Sequence, residues 1–475
     1  MTTKFDAKQQ TILIFAAAIA VRAAFNWLTG YTFDDAYITF RYAANLIDGH
    51  GLVYNLSESV LGTTTPLFTM LLAALGLVGI PIGAAALAIS LLACGLTAVV
   101  IYRFALRLDF GQWAFLPVII YVIFPRLLPT DTGGMETALF TFLVTVAFYC
   151  RHCKMAPEAI VAASLATLTR PEGLMVLALL IAEAMIRDRR HLLGRLVLAT
   201  MIILPWVLFA WWYFGSPIPH SMTAKMALYG QVWARPLLDK IIFVMGWHSP
   251  LGWLLALAAV VGLWQPGVRS DRRMWLEAIW ILATFTALAS SSTLIFRWYM
   301  APVYPIYIML ASMALLWVIR RWPEAGRMFE RGRVVILALV VIALLAVNFR
   351  TVRYYQAEAS ELDTIHQGIV DYLENHAAPG DLLATEDIGY VGYYSGMRIL
   401  DRAGLVSPEV VAYNRTGDFY GPIAEIRPRW LVISPKDPTA TFLDSADFVA
   451  NYYQVAQFEP LAANSWAFRL YQLQR

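Results

Sequence analysis

The sequence predicts a mostly α-helical, polytopic membrane bundle of about 11 transmembrane helices followed by a C-terminal extracytoplasmic α/β domain. Three observations carry this. The 475 residues are 59% hydrophobic and only 15% charged, with a mean hydropathy of +0.59, whereas soluble domains carry about 45–50% apolar and about 25% charged residues. A single water-soluble core cannot bury that surplus. Apolar runs long enough to span a bilayer recur through the first 349 residues. The charges divide unevenly: residues 350–475 hold 16 acidic and 10 basic side chains, and the preceding part holds 17 and 26. A soluble enzyme, a disordered chain and a disulfide scaffold are excluded. The composition shift divides the chain into a membrane domain, residues 1–349, and a tail, residues 350–475.

In chain order, spans are expected near residues 9–28, 82–102, 112–129, 136–150, 157–170, 171–186, 196–214, 249–266, 275–292, 299–319 and 333–349. The first run has no small-residue cleavage site and reads as a retained signal anchor. Orientation follows the basic loops, which should face the cytoplasm: Arg103/Arg107, Arg151/Lys154, Arg187/Arg189/Arg190/Arg195, Arg269/Arg272/Arg273 and Arg320/Arg321/Arg327/Arg331/Arg333. Residues 66–80 are also apolar. If they crossed, parity would flip and every basic loop would face outward, so they read as an interfacial or re-entrant helix. The result is a multi-pass protein of the cytoplasmic (inner) membrane, with its N-terminus inside and its tail outside. In the tail, residues 362–373 are amphipathic, residues 381–385 and 430–434 read as buried strands, and residues 448–458 and 466–470 as later strands. Cys150 and Cys153 lack the further ligands a zinc site needs, and with Cys94 they are expected to be reduced.

Ionisable residues inside the runs are few: Arg22, Glu183 and Glu277, the last two near cytoplasmic ends. A transporter should carry more at the midplane, often in matched repeats. Polar residues concentrate instead in the outer loops. The first contains Asp34 and Asp35 at the start of an amphipathic run. Asp is a good helix N-cap, but one cap does not need two acids. A carboxylate there can also serve as a general base on a hydroxyl. The next outer elements bring Glu136 after Gly133-Gly134, then Thr169-Arg170-Pro171-Glu172-Gly173, where Pro at a helix start shapes the turn. The long connection that follows supplies His220 and Lys225, and Phe296-Arg297-Trp298-Tyr299 adds Arg297. These cations suit anionic head groups or the charge developing on a departing phosphate.

The run Asp34-Asp35-Ala36-Tyr37-Ile38-Thr39-Phe40-Arg41-Tyr42-Ala43, with Gly49-His50-Gly51-Leu52-Val53-Tyr54-Asn55 behind it, resembles the first loop of GT-C-fold, polyprenyl-phosphate-sugar-dependent glycosyltransferases. Within that class it looks closest to the bacterial branch of terminal arabinofuranosyltransferases. Gly134-Met135-Glu136-Thr137, the Arg170-Pro171-Glu172-Gly173 turn, and the segment from Phe214-Gly215 through Pro219-His220-Ser221 to Ala224-Lys225 are similar to further motifs of the branch. So are Asp387-Ile388-Gly389-Tyr390 and Asp401-Arg402-Ala403-Gly404-Leu405 in the tail. His220-Ser221 stands where the branch commonly has Asn-Thr, and Gly62-Thr63-Thr64-Thr65 where it has Gly-Tyr-Thr-Asn.

The resemblance implies a membrane bundle with two juxtamembrane helices in the first outer loop. It implies an enzyme that moves one sugar, arabinofuranose in that branch, from a polyprenyl phosphate to a hydroxyl of a cell-envelope glycan. One of Asp34 and Asp35 is then essential, with Asp34 narrowly favoured. Arg170, His220, Lys225 and Arg297 are assigned to the donor phosphate. Arg41, Tyr42, Glu136, Glu172 and Tyr390 are assigned to sugar and acceptor, with Tyr393 and Tyr394 as further aromatic surfaces. No metal or other cofactor is expected, since cations suffice for a monophosphate donor. Expected partners are the polyprenyl-phosphate sugar, the envelope glycan or glycolipid acceptor and membrane lipids, with no nucleic acid. The rival readings are a lipid-linked saccharide transporter or flippase, and a non-catalytic envelope or flagellar accessory protein.

Overall fold

The computed structural model describes residues 6–232, 236–244, 250–265, 274–291, 294–321, 323–460 and 466–474. Helix α1 (Ala7–Thr29) starts in a capping box between Asp6 and Gln9 and stops at Gly30, whose φ of 62° ends the helical path. Two short helices follow, α2 (Asp34–Ile47) and α3 (Pro66–Leu77), before the long α4 (Ile82–Arg107). At 12 residues, α3 reaches only roughly 18 Å at about 1.5 Å per residue, too short for a hydrocarbon core of roughly 30 Å.

The run expected to span at 112–129 is broken, into α5 (Phe115–Val122) and α6 (Leu127–Thr132). Pro125 cannot continue an ordinary helix, and a charged side chain takes the carbonyls that the break frees. Arg22 Nη1 donates to the Val122 carbonyl at 2.8 Å and Nη2 to the Tyr121 carbonyl at 3.3 Å. The same guanidinium pairs with Asp131 at 2.9 Å, both side chains being fully buried. Arg22 is therefore a helix-end cap in an apolar surrounding, where an unmet carbonyl is costly.

The bundle continues through α7 (Thr137–His152), α8 (Ala156–Thr169), α9 (Gly173–Arg187) and α10 (Leu192–Phe214). The connection after α10 contains α11 (His220–Val232) and α12 (Leu237–Val244). Then come α13 (Pro250–Leu263), α14 (Trp275–Ser290) and α15 (Tyr304–Arg321). Arg269, Arg272 and Arg273, and the side chains of Arg327, Arg331 and Arg333, lie outside the described residues. Ala7–Thr29, Ile82–Arg107, Arg189–Phe214 and Arg297–Arg321 are long and apolar enough to cross a membrane. The other two acids of the apolar runs are paired: Arg151 reaches Glu183 at 2.7 Å and Glu277 at 3.2 Å, and His152 Nε2 lies 3.0 Å from Glu277. Cys94, Cys150 and Cys153 are free thiols.

Helix α16 (Pro323–His376) runs unbroken for 54 residues through the composition boundary at 349/350. Its end is the amphipathic stretch foreseen at 362–373. Beyond it lie β1 (Leu382–Thr385), α17 (Tyr390–Ser395), β2 (Arg398–Asp401), α18 (Val411–Thr416), α19 (Gly421–Ile426), β3 (Trp430–Ile433), α20 (Ala446–Asn451), β4 (Tyr452–Phe458) and β5 (Phe468–Leu473). The sheet order is β2-β1-β3-β5-β4, parallel at β2-β1-β3 and antiparallel at β3-β5-β4. The strand foreseen from 448 starts only at Tyr452, because Phe448 belongs to α20, whose N-cap Ser445 accepts the Phe448 N–H. Strand β2 has no signature in the sequence, as four residues are too few for an alternation to show.

One apolar core binds the two parts of the chain. Ile38, Tyr42, Leu52 and Tyr54 of the first loop pack with Ile365, Ile369 and Leu373 of α16 and with Leu383, Trp430 and Leu470 of the sheet. Asn55 acts as a backbone mimic at the sheet edge, donating to the Ile399 carbonyl at 2.8 Å and accepting the Ile399 N–H at 3.0 Å.

Candidate active site

A cavity of about 460 Å³ opens between the first loop and the helix ends of the bundle. Its wall is made by Asp35, Ile38 and Thr39 of α2, the Gly62–Thr65 segment, Met135 and Glu136 before α7, and Arg170, Pro171 and Glu172 between α8 and α9. Ser221, Met222, Lys225 and Met226 of α11 also line it, with Trp298 and Tyr299, the end of α14 and Leu405 of the tail. Five of the foreseen site residues thus meet at one place: Asp35, Glu136, Arg170, Glu172 and Lys225.

Local structure explains their positions. Glu136 and Glu172 occupy the N-cap positions of α7 and α9, yet neither side chain caps its own helix. Both turn to Arg170, which lies 3.3 Å from Glu136 and 3.1 Å from Glu172. Gly134, at φ +84°, supplies the left-handed turn that brings Glu136 inward, and any side chain there would press on Ala36 and Phe40 of α2. The neighbouring Gly133 carbonyl accepts the Phe33 N–H at 3.0 Å, which ties α2 to this turn. The Arg170 guanidinium also sits over the Tyr299 ring, 5.2 Å from its centroid.

Two cations face the cavity in different states. Arg170 is neutralised by two carboxylates. Lys225 has no carboxylate in salt-bridge contact among the described residues, and its Nζ lies 5.2 Å from the Phe296 ring centroid. Burial disfavours its charge, but Tyr299, Asp35 and Glu136 outweigh that and move its pKa above the usual lysine value. It is a charged, half-buried ammonium with donor capacity to spare. The Ser221 hydroxyl is buried on the same wall without a hydrogen-bond partner among the described residues.

Asp34 lies elsewhere. Its carboxylate accepts the backbone N–H groups of Gly389 at 3.0 Å and Tyr390 at 2.7 Å, so the expected capping role is real but serves α17 in the tail, not α2. Gly389 has no space for a β-carbon, since Asp34 backbone and carboxylate atoms fill that volume. Burial, and then the charge of Asp387, push the Asp34 carboxyl up to about 6. His366, 3.6 Å from Asp387, has its pKa raised: burial opposes its charge, and the carboxylates of Asp387 and Asp34 outweigh that.

The remaining foreseen residues do not line this cavity. Arg41 donates to three backbone carbonyls, those of Tyr54 at 2.9 Å, Met397 at 2.7 Å and Gly392, which makes it a pin between α2 and the tail. The Tyr42 hydroxyl donates to the Val60 carbonyl at 2.7 Å and accepts the Gly62 N–H at 2.9 Å, shaping the cavity wall from behind. The Tyr390 hydroxyl donates to Gln367 at 2.6 Å, and the rings of Tyr390, Tyr393 and Tyr394 gather around Tyr37. His220 faces a smaller cavity of about 300 Å³ beside Ser59 and Ser216. Arg297 faces a third. The Arg22–Asp131 pair and the Asp34–His366–Asp387 cluster escaped the sequence reading, because no short-range spacing links their members. Among the described residues no group of three or more His, Cys, Asp or Glu side chains is arranged to hold a metal ion.

Comparison with known proteins supports the fold. A family profile described as a domain of unknown function, DUF8728, matches residues 350–473. A terminal β-(1→2)-arabinofuranosyltransferase of Mycobacterium tuberculosis is 27% identical over 275 residues, which are 50% of this chain and 41% of that protein. The chain thus spans about two fifths of the length of that relative. Among solved structures, ArnT from Cupriavidus metallidurans bound to undecaprenyl phosphate superposes with a TM-score of 0.61 at 15% identity, over 98% of each chain. The arabinofuranosyltransferase AftD from Mycobacteria superposes with a TM-score of 0.50 at 16% identity, over 100% of this chain and 42% of that one. The chain shares the GT-C fold of these structures.

Proposed function

We propose that the protein is a membrane glycosyltransferase. It moves one sugar from a polyprenyl monophosphate to a hydroxyl of a cell-envelope glycan, at the outer face of the cytoplasmic membrane. The observation that carries this reading is one cavity shared by an unpaired-cation wall at Lys225 and a carboxylate at Asp35. The likeness to ArnT, a structure bound to undecaprenyl phosphate, supports the lipid phosphate. The mycobacterial relative makes arabinofuranose the first sugar to test.

The chemistry follows from the two ends of the site. The Asp35 carboxylate takes the proton of the acceptor hydroxyl as its oxygen bonds to the anomeric carbon. The bond from that carbon to the phosphate oxygen breaks, and polyprenyl phosphate departs with the electron pair. The Lys225 ammonium stabilises the charge that builds on the phosphate. Glu136 and Glu172, held by Arg170, present acceptor oxygens to sugar hydroxyls. Asp34, Arg41 and Tyr42 position α2 without touching substrate. Incubating the purified protein with a panel of polyprenyl-phosphate sugars, and following release of polyprenyl phosphate, tests the proposal. Release from one donor that stops in Asp35→Asn supports it, and no release from any donor overturns it.

A further inference from the structure

We infer that the protein holds a second lipid-borne phosphate, in a cationic cavity formed by Arg126, Arg297 and Arg350. This cavity, of about 490 Å³, has no lining residue in common with the one around Asp35. The 3-10 segment Arg297–Val303 is the partition between them. Its period of three residues turns Arg297 and Met300 to one side, while Trp298 and Tyr299 line the other.

The lining determines the ligand class. Among the described residues it contains three arginines, the phenols of Tyr354 and Tyr355 and no carboxylate. Glu358, which interacts with Tyr354, is not part of the lining. Three guanidinium groups around one cavity make it electropositive, which favours a bound anion. Their planar forks match phosphate oxygens. Arg297 is held 5.6 Å from the Tyr354 ring centroid and Arg126 Nη1 lies 3.3 Å from the Tyr304 hydroxyl, which aims both groups.

Two features point to a phosphate carried on a lipid. The floor is apolar, made by Pro125, Pro129, Phe243, Met300 and Val347. All three arginines also lie at the ends that the loop charges assign outward, where basic residues are depleted unless they have a use. The inference does not depend on sugar transfer, because its measurement is lipid retention.

The test uses the full chain in neutral phosphatidylcholine nanodiscs doped with phosphatidylglycerol or with undecaprenyl phosphate. Retained lipid is counted by native mass spectrometry, and inorganic phosphate is titrated separately. Retention of either lipid supports the site and identifies the source. R126Q/R297Q/R350Q should weaken retention about 100-fold, and the exposed single changes R126Q and R350Q about fivefold each. Lys225→Gln should leave this equivalent in place. Unchanged retention in the single and triple variants overturns the inference, as does inorganic phosphate binding as tightly as either lipid.

Discussion

Asp34 caps Tyr390. The two lie 356 positions apart, and the Asp34 carboxylate accepts the Tyr390 N–H at 2.7 Å, so the first loop and the tail share one hydrogen-bonded joint. The next residue, Asp35, takes no part in that joint and lines the cavity. The two adjacent acids therefore separate into a capping position and a cavity-lining position.

Asp35→Asn should lower the rate of polyprenyl phosphate release by about 100- to 10,000-fold, the usual worth of a general base, with the thermal unfolding midpoint unchanged. Asp34→Ala should do the opposite in kind. It removes a cap, costs about 0.5–2 kcal/mol, and lowers the midpoint while a residual rate survives. Paired melting and release assays separate the two, and equal loss of activity with equal stability would count against the assignment.

Lys225→Gln should slow release by about 100- to 1,000-fold, as for loss of one donor to a developing oxyanion. Lys225→Arg should recover part of it. Glu172→Gln, at a side chain 47% exposed, should act mainly on KM. Steady-state kinetics with a fixed donor distinguishes these patterns.

The joint between α2 and the tail should loosen as pH rises. Asp34 ordinarily titrates at 3.8 and is pushed up to about 6 in the fold, so the folded state holds the proton more tightly and stability falls as pH rises across that window. His366 has a raised pKa, and the stability of its protonated form is complete below 6.5 and lost as pH passes its folded value. Hydrogen exchange at the Gly389 and Tyr390 amides, corrected for intrinsic rates, should be faster at about pH 8 than at about pH 5. Asp387→Asn should flatten the dependence.

Either Arg22→Leu or Asp131→Leu alone should destabilise the bundle by about 3–5 kcal/mol, because each leaves an uncompensated buried charge. The double replacement should cost less than the sum of the singles. Denaturation in detergent micelles reads this, and additive losses would contradict a direct pair.

Much of the architecture was legible without coordinates. Loop charge makes residues 66–80 a short helix and not a span, and α3 is a 12-residue helix. Glu136, Arg170, Glu172 and Lys225 were identified from separate loops, and they do converge. Less legible were Arg41 and Tyr42. They sit in the same motif as Asp35 but point into the joint with the tail, because a helix turns by about 100° per residue and neighbours face different partners.

Composition, hydropathy and loop charge determined by themselves that the chain is a helical membrane protein with an α/β tail. These are sums over local residues, and they survive any error in packing. Only the tertiary structure decided which aspartate meets the cavity, why the run at 112–129 breaks against Arg22, and that Arg126, Arg297 and Arg350 share one cavity. Each of these depends on contacts between segments far apart in the chain, and a contact of that kind leaves no periodicity to read. The physical reason is direction: a sequence records which groups are present, and packing alone sets which way each one faces.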